Sequence, residues 1–160
     1  MNHPKTDDDN KVLLTKEGLE ELKKELEELI DIKRPEVVQR ISMARDMGDL
    51  SENAAYVSAR DDQAFMEGRI VELEEIIKNA VVSTGTAGKG AITVGCKIKV
   101  HVDGSEEEYH MVGGPEADPK ERKISNESPL GKALMGKKVG DKVEIEAPMG
   151  KLVYTILSVS

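Results

Sequence analysis

Residues 48–53 read Gly-Asp-Leu-Ser-Glu-Asn and interrupt two long charged stretches whose apolar residues recur at helical spacing. Such a short connection predicts an antiparallel helical hairpin closed by a turn. We call residues 48–53 the tip. The tip carries two carboxylates, Asp49 and Glu52, at the far end of the hairpin and away from any core. Carboxylate oxygens in such a place are suited to a hard cation such as Mg²⁺.

Each arm of the predicted hairpin has one apolar seam with alternating spacings of three and four residues, which is typical of paired helices. The seam positions are Leu19, Leu22, Leu26, Leu29, Val37, Ile41 and Ala44 in the first arm and Met66, Ile70, Leu73 and Ile77 in the second. Thr15 is suited to capping the first helix. Pro35 is expected to kink or break it, and Gly48 to end it.

Beyond residue 81 the pattern changes to short runs rich in Val and Ile, which predict strands at 93–102, 108–112, 142–147 and 151–159. Ser128 and Pro129 predict the start of a short helix that ends at Gly136. The predicted fold class is α+β: a polar acidic extension at 1–11, a coiled-coil hairpin at 12–82, a linker at 83–90 and a small α+β domain at 91–160.

Composition limits the possible functions. The formal net charge of −8 argues against tight binding to free nucleic acid, because phosphate-backbone binding needs excess cations. The single cysteine, Cys96, excludes an internal disulfide and is expected in the core. Neither a membrane-spanning run nor a signal-peptide core is evident, so we expect a cytoplasmic protein. We also expect it to be a monomer. With Cys96, His101 and two other histidines, no zinc pattern or nucleophile–histidine–acid set emerges.

The residues of the tip also allow structural interpretations. Asp49 and Glu52 match a capping box in which Asp49 caps the second helix. Two carboxylates cannot hold Mg²⁺ tightly alone, so a metal role implies a partner that completes the site. Arg45 and Arg60 could contact a phosphate backbone, or pair with Asp46, Asp49 or Glu67. Tyr56 could stack on a base or cover the seam.

The chain resembles the Gre family (GreA type) of bacterial transcript-cleavage factors over residues 12–159. The resemblance is carried by these ordered runs in both halves: LTKEGLEELKKEL, RPEVVQRI, ARDMGDLSENAAYVSARDDQAFMEGRI, ADPKERKISNESPLGKALMGKKVGD and VEIEAPMGKLVYTIL. It implies an N-terminal coiled-coil hairpin and a C-terminal FKBP-like domain. It also implies a protein that is not itself an enzyme but a cofactor of RNA polymerase.

Members of this family insert the hairpin into the secondary channel of RNA polymerase and stimulate cleavage of the 3′ end of nascent RNA in backtracked complexes. The resemblance places the two tip acids on Asp49 and Glu52, which would share Mg²⁺ with the polymerase. The family's basic positions near the tip match Arg45 and Arg60, and we expect Asn53 and Tyr56 also to contact nucleic acid or polymerase there. The resemblance assigns polymerase docking to residues 124–129, and within them to Glu127, Ser128 and Pro129.

Two other functions stay open at this point. A Gre-homologue inhibitor would occupy the channel without promoting cleavage, although the intact Asp49 and Glu52 favour a stimulator. A peptidyl-prolyl isomerase is suggested by the FKBP-like half. That half has only Tyr109 and Tyr154 as aromatic residues to line a proline pocket, which weighs against this alternative.

Overall fold

The computed structural model describes residues 10–49, 52–85 and 90–160. Most of the predicted extension at 1–11 and the middle of the predicted linker therefore lie outside the described residues. The described helices are α1 (Lys16–Glu28), α2 (Arg34–Arg45), α3 (Ala54–Lys78) and α4 (Pro129–Leu134). The described strands are β1 (Val12–Thr15), β2 (Ala80–Ser83), β3 (Lys97–Val102), β4 (Ser105–Val112), β5 (Lys123–Ser125), β6 (Lys142–Ala147) and β7 (Gly150–Val159).

The predicted helical hairpin is confirmed. Side-chain bonds between its arms join Glu25 to Arg69, Arg34 to Glu67, Arg40 to Asp62 and Ala44 to Asn53. Residue numbers rise along one arm as they fall along the other, so the arms are antiparallel. The predicted seam residues are all buried or half-buried, and Val37, Ile41, Ala59, Met66 and Ile70 form its central cluster.

Pro35 does not break the first arm, which was one of the two outcomes expected from sequence, but the helix is locally distorted just before it. One π turn, Leu29–Lys33, lies between α1 and α2, and the backbone N–H of Arg34 donates to the carbonyl of Leu29 five residues earlier. Pro35 lies at the start of α2, where a missing N–H is tolerated. The wider turn adds one residue to the helical repeat, so Leu29 and Ile30 both pack on the seam cluster.

The arms are also joined by ion pairs at the edges of the seam. Arg34 donates two hydrogen bonds of 2.8 Å to the carboxylate of Glu67. These bonds lower the pKa of Glu67 below its ordinary value. A lowered carboxyl pKa stabilises the fold above the usual glutamate pKa, and this contribution is lost as the pH falls. Both side chains are more than a third exposed, so solvent screening keeps the contribution small.

The C-terminal sheet has the strand order β5-β4-β3-β7-β6, with β4 and β5 parallel and the other pairs antiparallel. The strand predicted at 93–102 begins later, at Lys97, and every second residue of it, Ile98, Val100 and Val102, is buried, as expected for one face of a strand packed on a core. The same alternation of buried residues extends through Ile92, Val94 and Cys96, which precede the strand. Cys96 belongs to this series and is 2% exposed, which confirms it as a core residue. The α+β fold class is therefore confirmed.

The sequence patterns did not indicate strands β1 and β2. They form a separate parallel pair, with Val12 opposite Ala80 and Thr15 opposite Ser83. Glu20–Asn79 forms one compact unit, and the described residues of Met1–Leu19 and Ala80–Ser160 form the other. The structure thus groups β1 and the first turn of α1 with the C-terminal sheet. The predicted domain boundaries, with the hairpin ending at residue 82, a linker at 83–90 and the second domain starting at 91, stay a prediction.

Candidate functional site

The tip follows the end of α2 through a short irregular turn. Beyond Arg45, the N–H of Met47 donates to the carbonyl of Ala44 at 3.1 Å. Gly48 then adopts φ +129°, a backbone conformation that favours glycine. Asp49 follows as an exposed residue, and Glu52 is exposed on the other side of residues 50 and 51, which lie outside the described residues. The structure thus displays both predicted carboxylates to solvent at the end of the hairpin.

The helix that leaves the tip is capped by Asn53. Its side-chain oxygen accepts a hydrogen bond from the N–H of Tyr56 at 3.1 Å, and α3 begins at Ala54. The capping-box alternative, with Asp49 as the cap and Glu52 at the third helical position, is therefore wrong. The side-chain amide of Asn53 also donates to the carbonyl of Ala44 at 2.5 Å. Asn53 thus joins the end of α2 to the start of α3, and its predicted contact with polymerase or nucleic acid stays a prediction.

The other predicted contact residues near the tip lie on both helices. Arg45 and Arg60 are exposed, and Arg60 donates to Gln63 at 2.9 Å. Glu67, one of the acids suggested as a partner for these arginines, is bound by Arg34 instead. Tyr56 is half-buried and packs against the seam cluster, which supports its structural interpretation. The roles of these residues toward a partner stay predictions.

Two concavities lie beside the tip. One, of about 510 Å³, has both polar and apolar lining residues, which are Glu52, Asn53, Ala54, Val57, Ser58, Asp61 and Asp62. The other, of about 230 Å³, is lined by Arg40, Met43, Ala44, Met47, Ala55 and Ser58. Met43 and Met47 are 61% and 76% exposed. Sequence analysis did not single out these methionines. Because neither falls on the apolar seam, their sequence positions could have identified them as exposed apolar residues beside the tip.

The chemistry of the tip fits a shared Mg²⁺ ion. Asp49 and Glu52 offer carboxylate oxygens, the ligands that Mg²⁺ prefers, and both residues are exposed. Two carboxylates supply only part of the octahedral shell that this ion demands. Within residues 10–49, 52–85 and 90–160, no three His, Cys, Asp or Glu side chains are grouped to hold a metal. Asp49 and Glu52 by themselves therefore supply only part of a Mg²⁺ site.

The predicted docking segment, residues 124–129, runs from the end of β5 through a tight turn to the first residue of α4. The carbonyl of Ser125 accepts from the backbone N–H of Ser128 at 3.1 Å and from its hydroxyl at 2.7 Å. The Ser128 hydroxyl in turn accepts from the N–H of Gly131 at 3.0 Å, which confirms Ser128 as the helix cap. Glu127 and Pro129 are exposed on this turn. The turn therefore presents an acid and a proline on a well-bonded backbone.

The two aromatic residues proposed for an isomerase pocket are otherwise engaged. Tyr154 is 9% exposed and belongs to the core of the sheet domain. The hydroxyl of Tyr109 donates to the carboxylate of Glu107. Burial, followed by this hydrogen bond, raises the pKa of Tyr109 above its ordinary value. Neither aromatic ring therefore lines an open apolar pocket of the kind that would bind a proline side chain.

Replacing Asn53 by Ala should lower the free energy of unfolding of the hairpin by about 1 kcal/mol, the usual cost of losing a helix cap. Urea unfolding followed by circular dichroism at 222 nm measures this change. Asn53→Asp is the matched variant, since it keeps the acceptor for Tyr56 but cannot donate to Ala44. An unchanged midpoint for Asn53→Ala would contradict the assigned cap.

A helical hairpin with acids at its turn, followed by a sheet domain, defines a two-domain class of protein whose parts match known transcription factors. Residues 12–82 match the family model "Transcription elongation factor, N-terminal". Residues 87–160 match "Transcription elongation factor, GreA/GreB, C-term". The chain belongs to the GreA/GreB family of transcription elongation factors, which confirms the resemblance found in its sequence motifs.

Similar proteins cover nearly the whole chain. The transcription elongation factor GreA of Bacillus cereus (strain AH187) is 49% identical over 149 residues, covering 91% of this chain and 94% of that protein. GreA of Thermoanaerobacter pseudethanolicus is 49% identical over 151 residues, covering 92% and 96%. Among solved structures, GreA factor homolog 1 of Thermus thermophilus is 29% identical, with a TM-score of 0.43 and coverage of 94% of this chain and 99% of that chain.

Proposed function

We propose that this protein binds bacterial RNA polymerase, inserts its hairpin into the secondary channel and stimulates cleavage of the 3′ end of nascent RNA in backtracked complexes. The observation that carries the proposal is the pair of exposed carboxylates, Asp49 and Glu52, at the turn of a hairpin in a GreA/GreB-family chain. Cleavage lets an arrested polymerase resume elongation. The protein itself is then a cofactor of another enzyme, working in the cytoplasm.

In this mechanism Asp49 and Glu52 would hold a Mg²⁺ ion jointly with carboxylates of the polymerase. A second metal ion beside the scissile phosphate supplies an activated water and neutralises developing charge. The chain's own part is to bring two oxygen donors to the polymerase active centre and to orient the attacking water. Placement of reacting groups in this way is a large part of phosphoryl-group chemistry.

The packing around the tip supports this role. Asn53 links the two helices directly behind the acids through bonds to Ala44 and Tyr56. The acids therefore project from a bonded helix end, which limits the freedom lost when they meet their target. Arg45 and Arg60 are exposed within two turns of the tip, where charge-assisted bonds to RNA phosphates are possible.

The charge of the chain supports recognition through protein rather than through free nucleic acid. A net charge of −8 opposes association with phosphate backbones, so binding depends on a docking surface on the polymerase. We assign that docking to Glu127, Ser128 and Pro129. One chain per polymerase suffices, because a single tip supplies both carboxylates.

An inhibitor that occupies the channel without promoting cleavage is the alternative, and the retained acid pair weighs against it. A recovery assay distinguishes the two functions. Arrested elongation complexes receive the protein and then nucleoside triphosphates, and the full-length RNA is measured. A stimulator increases the fraction of complexes that resume elongation, whereas an inhibitor decreases it.

A further inference from the structure

Glu116 lies at the end of a short 3-10 helix, Gly114–Glu116, and its carboxylate makes three hydrogen bonds. One oxygen accepts from the backbone N–H of Thr15 at 2.9 Å and from the N–H of Gly113 at 3.1 Å. The other oxygen accepts from the Thr15 hydroxyl. Thr15 is 4% exposed and lies 101 residues earlier in the chain. These bonds therefore fix the start of α1 to a loop distant in sequence.

The Thr15 hydroxyl extends this connection into the helix. It accepts a hydrogen bond from the N–H of Gly18 at 3.0 Å, as a helix cap does. The bonds thus run from the first turn of α1 through Thr15 to the Glu116 carboxylate. Charge-assisted bonds of this kind are stronger than neutral ones.

Gly18 shows how closely the carboxylate approaches the helix. A Cβ atom added to Gly18 would overlap the Glu116 carboxylate, and one added to Gly113 would overlap the carbonyl of Leu13. Glycine is disfavoured in the first turns of a helix because it loses more backbone entropy than other residues. Its presence at position 18 is explained by the room that Glu116 needs.

The same 3-10 helix also lies close to the docking segment. A Cβ atom added to Gly114 would lie 3.2 Å from a carboxylate oxygen of Glu127 and 3.6 Å from the Ser125 hydroxyl. The helix Gly114–Glu116 therefore lies close to the docking segment and is also bonded, through Glu116, to Thr15 at the start of α1. All of these residues belong to the same compact unit.

We propose that Glu116 is a positioning residue for transcript cleavage, because it fixes the first turn of α1 to the loop that supports the docking segment. This inference rests on the proposed function. Docking would then hold the first turn of α1, which belongs to the same compact unit as the docking segment. Without the Glu116 bonds the protein would still dock, but the tip acids would reach the reacting phosphate less often in the productive arrangement.

The test compares Glu116→Ala and Glu116→Gln in the intact chain, using backtracked polymerase complexes and a range of protein concentrations. Glu116→Ala should lower the maximal cleavage rate by about 10-fold or more, since small displacements of reacting groups cost this much. The half-saturating concentration should stay unchanged. Glu116→Gln keeps an acceptor oxygen and should show an intermediate loss of maximal rate.

The maximal cleavage rate and the half-saturating concentration together distinguish a positioning role from simple destabilisation of the fold. A partly unfolded variant requires more protein and then reaches the wild-type maximum, and that result would overturn the inference. A wild-type maximum for a folded Glu116→Ala would also overturn it.

Glu144→Gln, at an exposed position of β6, is the matched control and should behave as wild type. If wild type itself fails to stimulate cleavage, the proposed function fails; if only Asp49→Asn loses activity, this inference alone fails.

Discussion

Replacing Asp49 by Asn, or Glu52 by Gln, should lower stimulated RNA cleavage by at least about 100-fold, which corresponds to about 2.7 kcal/mol of barrier. Each change keeps the shape of the side chain and removes the negative oxygen that would bind Mg²⁺. The affinity for polymerase should hardly change, because the docking segment and the tip belong to different compact units. Single-turnover cleavage at saturating protein measures the rate, and competition against labelled wild type measures the affinity.

The structure shows that loss of a helix cap should not complicate this experiment. Asn53, not Asp49, caps α3, so a change at Asp49 should not remove a helix cap. Asp31→Asn removes the same charge from another exposed position of the hairpin and is the matched control. If the Asp49→Asn, Glu52→Gln double variant cleaves at the wild-type rate, the tip acids do not act in the reaction.

Reversing the charge of Glu127 by substitution with Lys should raise the half-saturating concentration about 10- to 100-fold, while the maximal cleavage rate stays near wild type. Juxtaposed like charges at an interface cost several kcal/mol, and a docking defect is overcome by more protein. Glu127 is exposed and its backbone N–H, not its carboxylate, makes the bond to Ser125. The substitution should therefore spare the turn itself.

Glu144→Lys provides the matched control, since it makes the same change in net charge at an exposed position of β6. If Glu144→Lys weakens binding as much as Glu127→Lys does, the effect is one of overall charge. If Glu127→Lys lowers the maximal rate at saturation, the docking segment does more than dock. An unchanged half-saturating concentration would remove Glu127 from the docking surface.

Much of the fold could be predicted because its signals are local. The seam spacing from Leu19 to Ile77 follows from helix geometry, and alternating burial from Ile98 to Val102 follows from strand geometry. The caps at Thr15 and Ser128 need only a hydroxyl at the right place. These features depend on neighbours a few residues away, so sequence patterns are sufficient.

The remaining features depend on residues far apart in the chain. Strands β1 and β2 pair across more than sixty residues, and each is too short to show a distinctive pattern. The π turn before Pro35 reflects packing of Leu29 and Ile30 on the opposite arm. The hydrogen bond between Thr15 and Glu116 also joins distant residues. Its one sign in the sequence is Gly18, a glycine inside a helical pattern.

The central claim is that this chain causes polymerase to shorten its own backtracked RNA. The most direct measurement follows the length of 5′-labelled RNA in a purified stalled complex after the protein and Mg²⁺ are added. We expect the RNA to lose a 3′ fragment and remain extendable, with no shortening when the Asp49→Asn, Glu52→Gln double variant is used. RNA of unchanged length in a complex that demonstrably contains bound wild-type protein would contradict the account.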